Sequence, residues 1–124
     1  MKIRRIYFSW PRGLPGAVTS SWDDGCIHDP RLVEIFNGRG LRGTFYLCSG
    51  LLRGEGRDDA FYLHEDAVRG LYAGHEIAAH SLTHPNLWTL SDDIVFNQLL
   101  EDRRRLERLA GYPVRSVVFP CGRG

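Results

Sequence analysis

Ala17-Val18-Thr19-Ser20-Ser21-Trp22-Asp23-Asp24-Gly25 runs from small and β-branched residues into two adjacent carboxylates and a glycine. The part from Gly16 to Trp22 reads as a buried strand, with the double aspartate at its exit. Two like charges side by side repel each other unless a cation or a proton sits between them. The stretch therefore fixes a strand and points to a metal at its C-terminal end.

Working outward, Asp29-Pro30 reads as an N-cap followed by proline at the first helical position, with Leu32, Val33, Ile35 and Phe36 as the apolar face and Gly38 and Gly40 as the stop. Thr44-Phe45-Tyr46-Leu47 is a second strand, and glycine-rich Ser49 to Asp59 is a loop. A helix from about His64 to Ala73 follows, with Ala67, Val68, Leu71 and Tyr72 inward and Gly74 as its stop. Glu76-Ile77-Ala78-Ala79 is a third strand leading into His80-Ser81-Leu82-Thr83-His84. Ser91-Asp92-Asp93 caps the longest helix, in which Ile94, Phe96, Leu99, Leu100, Leu106 and Leu109 recur near helical period until Gly111. Val117-Val118-Phe119 is a fourth strand, leading into Pro120-Cys121-Gly122. Upstream, Ile3, Ile6, Tyr7, Phe8 and Trp10 suit a covering strand, to which no chemistry is assigned.

Strands that alternate with helices predict an α/β fold of parallel strands joined by right-handed crossovers. Chemistry in such folds sits at the C-terminal ends of the strands. The aspartate pair, the histidine pair and Pro120-Cys121-Gly122 all fall on that rim.

With 124 residues, the chain has the length of one domain, taken as 1–124. A formal charge of +1 is too small for a nucleic-acid footprint or a membrane-surface field, so neither partner is expected. Cys26, Cys48 and Cys121 form no Cys-x-x-Cys pair and leave one over if two bridge, which argues for a reducing compartment. No signal peptide is evident after Met1-Lys2-Ile3-Arg4-Arg5, and the expected location is cytoplasmic.

One carboxylate with two histidines suits Zn²⁺ first, and also Co²⁺, Mn²⁺ or Fe²⁺, with positions left open for water and substrate. The spare aspartate could then act as a general base. Each motif alone has a plainer reading. Asp-Asp-Gly is commonly a turn or helix entry, and His-x-x-x-His two residues on one helix face. Pro85 and the strand before His80 argue against a helix there. Cys26 and Cys121 read as small buried hydrophobes, His28, His64 and His75 as surface or packing residues, and Arg103 to Arg105 as a solvated helix face.

Ser21-Trp22-Asp23-Asp24-Gly25 resembles the Thr-Phe-Asp-Asp-Gly signature of the polysaccharide deacetylases, the NodB-homology group of metal-dependent carbohydrate esterases. His80-Ser81-Leu82-Thr83-His84-Pro85 is similar to their His-Ser/Thr-x-x-His-Pro motif, Gly43-Thr44-Phe45-Tyr46 to their second strand, and Val118-Phe119-Pro120-Cys121-Gly122 to a third motif that usually carries arginine and then Pro-Tyr-Gly. The resemblance runs from Ala17 to Gly122. It implies the N-terminal part of a (β/α) barrel, with Asp23 as general base and Asp24, His80 and His84 as metal ligands. It further implies hydrolysis of N-acetyl groups on amino sugars or polysaccharides, with the ion polarising the acetyl carbonyl and the Cys121 backbone N–H stabilising the oxyanion. The partner would be a carbohydrate or a small N-acetylated molecule.

Two departures stand out. The third motif lacks its arginine, which leaves Asp23 without the partner that usually orients it. The later motifs, which bring the general-acid histidine and the wall around the acetyl group, have no counterpart here, so a C-terminally truncated chain is expected. Lack of the acid would lower the rate by roughly two to four orders of magnitude. Open strand edges would suit a homo-oligomer that covers them. The alternatives are a non-catalytic metal- or carbohydrate-binding module and, more remotely, an iron oxygenase using the same three ligands.

Overall fold

The computed structural model describes residues 9–122. The covering strand suggested for Ile3 to Phe8 lies outside them; Trp10 is exposed and bridges Leu14. Three parallel strands, β1 (Ser21–Asp24), β2 (Thr44–Leu47) and β3 (Glu76–Ala79), form a sheet in that order. Asp24, Leu47 and Ala79 are aligned across it, so the three strands end level. Helix α1 (Asp29–Gly38) joins β1 to β2, the short α2 (Val68–Leu71) precedes β3, and α3 (Asp92–Ala110) follows it. This is the expected α/β order, consistent with part of a (β/α) barrel.

The core lies where β2, flanked on both sides, meets the helices. Phe45 and Leu47 of β2 are fully buried with Leu52, Val68 and Leu106, and Val33, Leu63, Tyr72, Ile77, Ala79, Ala110 and Val114 complete the cluster. Successive strand residues face opposite sides of a sheet. Trp22, Phe45 and Ile77 therefore share one face, and Asp23, Tyr46 and Ala78 the other.

The first strand is displaced from its expected position. Residues 16–19 are exposed and outside the sheet, with Val18 98% exposed, and the aspartates lie within β1 rather than after it. Among the described residues β1 is an edge strand paired with β2 alone, which begins at Thr44, and the Thr44 N–H donates to the Ser20 carbonyl as the outermost contact. Among the described residues the β-branched stretch upstream pairs with no strand, and composition alone does not bury a strand. The fourth strand is reduced to one parallel bridge between Val117 and Ala79, the last residue of β3.

The helices also differ in detail. His28 rather than Asp29 occupies the N-cap of α1, with Asp29 as first helical residue. The second helix starts as a 3-10 turn (Glu65–Ala67) before α2, and Gly70 within it weakens longer helix. In α3, Ile94 and Phe96 are exposed, whereas Asp102, Leu106 and Ala110 face inward. Gly111 ends α3 in the left-handed conformation (φ 82°), as its position suggests. No described helix is long and apolar enough to cross a membrane.

Asp29 does not cap its own helix. Its buried carboxylate accepts from the Tyr72 hydroxyl and from the Cys26 thiol, tying α1 to the end of α2. Burial pushes the Asp29 carboxyl up, and the Tyr72 hydrogen bond partly offsets it. Tyr72→Phe is expected to cost about 1.5–3 kcal/mol, the worth of a hydrogen bond to a charged group. A raised folded-state pKa means that stability from the group is lost as pH rises through it. Removing the hydroxyl raises that pKa further, so the loss should grow from acid to neutral pH in urea unfolding curves.

Candidate metal centre

Because the strands end level, the residues at and just past their ends come together. Asp24 closes β1 with a left-handed backbone (φ 78°), and Gly25 continues it (φ 76°). A Cβ on Gly25 would lie 3.0 Å from Leu47 and 3.2 Å from Leu52, so glycine lets the turn press onto the core. His80 follows β3 directly. The chain then passes through Ser81 (φ 67°) to His84 (φ 55°), a path no helix could follow.

One atom each from Asp24, His80 and His84 lie within 4.8 Å of one another. Asp24 Oδ1 is 3.8 Å from His80 Nε2 and 3.6 Å from His84 Nε2, while Asp23 Oδ2 is 3.9 Å from His80 Nε2. These separations are too long for hydrogen bonds. Ligand atoms on a tetrahedron with bonds of about 2.1 Å sit about 3.4 Å apart. The donor set therefore fits an ion held in common.

The His80 ring is buried and its Nδ1 lies 2.9 Å from the Val118 carbonyl, which can only accept; Nδ1 therefore donates there and Nε2 faces the cluster. This is how metal-binding histidines are commonly oriented. Val118 is held in turn, its N–H donating to the Ala79 carbonyl. The vestigial fourth strand thus positions a ring rather than extending a sheet.

Residues that the sequence reading passed over support the loop. Asp102 of α3, fully buried, accepts from the His80 N–H and from the N–H and hydroxyl of Ser49. Gln98 accepts from the Thr83 N–H through its side chain and from the Leu82 N–H through its carbonyl. The one available signal for Asp102 was its place between Leu99 and Leu106 on the apolar stripe of α3. Burial pushes the Cys48 thiol up, and the charges of Asp102, Asp24 and Asp23 push the same way. That negative field favours a cation.

The Gly50 N–H donates to the Leu82 carbonyl over 2.8 Å, and a Cβ on Gly50 would fall 2.2 Å from that oxygen. Gly50→Ala must break the bond and push the histidine loop outward. We expect a loss of about 1–3 kcal/mol in urea unfolding, with weaker metal binding measured by chelator competition.

Cys121 is exposed rather than buried, with a left-handed backbone (φ 54°), and Cys26 is half-buried. Among the described residues no backbone carbonyl accepts from the Cys121 N–H. His75 is a packing residue, accepting from the Gly43 N–H beside Phe36 and Phe45, and His64 is an exposed helix cap. The arginine run is solvated or paired, through Arg103–Glu107, Arg104–Glu101 and Arg105–Glu65.

The sequence is similar to a peptidoglycan-N-acetylglucosamine deacetylase of Bacillus cereus, 27% identical over 107 residues, 85% of this chain and 36% of that protein. It is similar to a chitin deacetylase of Colletotrichum lindemuthianum, 28% identical over 119 residues, 89% of this chain and 45% of that protein. The fold matches the Streptococcus pyogenes deacetylase PplD, solved in complex with acetate, with a TM-score of 0.78 at 20% identity, covering 92% of this chain and 51% of that one. The chain thus spans about half or less of the length of these relatives. The profile described as polysaccharide deacetylase matches residues 12–124, the two aspartates and both histidines included, and the chain belongs to that family.

Proposed function

We propose that this chain carries the metal-binding part of a hydrolase that removes N-acetyl groups from amino-sugar polymers. The observation that carries the reading is the convergence of Asp24, His80 and His84 at separations suited to a common ion. Zn²⁺ is the first candidate for one carboxylate and two imidazoles, with Co²⁺, Mn²⁺ and Fe²⁺ sharing the donor preference. When bound, such an ion supplies Lewis acidity toward the acetyl carbonyl. Asp23, half exposed beside the cluster, would take the proton of the attacking water. The Cys121 N–H, with no backbone acceptor among the described residues, would donate to the developing oxyanion. A cleft of about 400 Å³, lined by Gly50, Arg57, Asp59, Tyr62 and Thr83, adjoins His84 in the chain and offers polar groups to a sugar.

The test is to titrate the purified chain with Zn²⁺ or Co²⁺ and then assay acetate release from acetylated chito-oligosaccharide. One divalent ion per chain and released acetate are expected, and failure to bind any ion sinks the proposal. Binding without acetate release would favour the second reading, a non-catalytic metal- or carbohydrate-binding module. That reading draws on one observation: among the described residues no arginine pairs with Asp23.

A further inference from the structure

We propose that Asp102 is a positioning residue that holds both histidines of the metal centre in place, an inference that rests on the metal reading above. An inward position of α3 between Leu99 and Leu106 would ordinarily take an apolar side chain. A buried carboxylate there is unfavourable unless its oxygens are satisfied. Among the described residues Asp102 has no cationic partner; instead it gathers three donors from the ends of two neighbouring strands. Oδ2 accepts from the His80 N–H at 3.0 Å, a donor also shared with the Leu47 carbonyl at 3.1 Å. Oδ1 accepts from the Ser49 N–H at 2.8 Å and the Ser49 hydroxyl at 2.6 Å.

Each contact leads to a ligand. Fixing the His80 backbone sets where its ring meets the Val118 carbonyl, and so where Nε2 points. Fixing Ser49 sets the neighbouring Gly50, whose N–H grips Leu82 two residues before His84. A single carboxylate thus orients the first histidine directly and the second through one backbone hydrogen bond. An apolar residue could fill the same volume but could make neither connection.

Asp102→Asn keeps the shape but replaces one acceptor oxygen by an NH₂ that faces an N–H donor. We expect Zn²⁺ affinity to fall about 10–100-fold, the usual effect of losing a partner behind a metal ligand, and the visible absorption of bound Co²⁺ to change. Ser49→Ala, which removes one of the three bonds, should shift both readouts less in the same direction, and should add little in the Asp102→Asn background. In the metal-free protein, ¹⁵N spectra should show the His80 Nδ1–H tautomer in the wild type and a tautomer mixture in Asp102→Asn.

An Asp102→Asn protein with unchanged affinity, Co²⁺ spectrum and tautomer, even if less stable to urea, would reduce Asp102 to a structural role. Should that variant not fold, Ser49→Ala decides with the same measurements. If the wild type binds no ion, the metal reading falls, and the tautomer comparison still settles the part played by Asp102.

Discussion

His80→Ala is expected to abolish tight binding of the divalent ion. The ring is the most enclosed member of the cluster, its side chain 4% exposed, against 36% for Asp24 and 33% for His84. Nδ1 is committed to the Val118 carbonyl, so the imidazole is already oriented before any ion arrives. Without it, two half-exposed donors remain, and an ion would have to order them against solvent. The loss should exceed the roughly 10–100-fold that follows removal of a partner behind a ligand. Metal content after dialysis and competition with a chromophoric chelator measure it, with circular dichroism to confirm folding. His64→Ala, at an exposed helix cap, should bind like the wild type. Equal binding by His80→Ala would place the ion elsewhere.

Asp23→Asn should separate the adjacent aspartates by role. The proposed general base contributes on the order of 10²–10⁴ in rate, and the variant should lose that much acetate release while keeping its ion. Asp24→Asn should lose the ion instead. The division follows from the strand: Asp23 shares a sheet face with Tyr46 and Ala78, whereas Asp24 leaves that alternation through its left-handed backbone. Asp23→Asn turning over at the wild-type rate would remove Asp23 from the mechanism. Simultaneous loss of the ion would make Asp23 a ligand.

Much of this arrangement is legible in the sequence where signals are local. β2 and β3 fall where Thr44-Phe45-Tyr46-Leu47 and Glu76-Ile77-Ala78-Ala79 indicate, because each is a short apolar run bounded by turn residues and paired along its whole length. The convergence of Asp24, His80 and His84 was foreseeable because strand ends share a rim. What escaped depends on partners distant in sequence. The bounds of β1 are set by where β2 begins, and the fourth strand is reduced to its bridge with Ala79, the last residue of β3. Asp102 meets Ser49 across 53 residues, a contact no periodicity announces. Cys121 escaped for a related reason: a residue's solvent exposure depends on what packs over it.

The left-handed backbone at Asp24, Ser81 and His84 bears on how substitutions here can be interpreted. Asp, Asn and His enter that region more readily than most residues, and β-branched ones hardly at all. Donor chemistry and chain path thus narrow the permitted residues together. At Asp24, asparagine removes charge while sparing the turn, but valine would damage both at once. Replacement scans that treat every substitution alike would overstate the chemical importance of these positions, and an allele lost there need not have lost its ligand first.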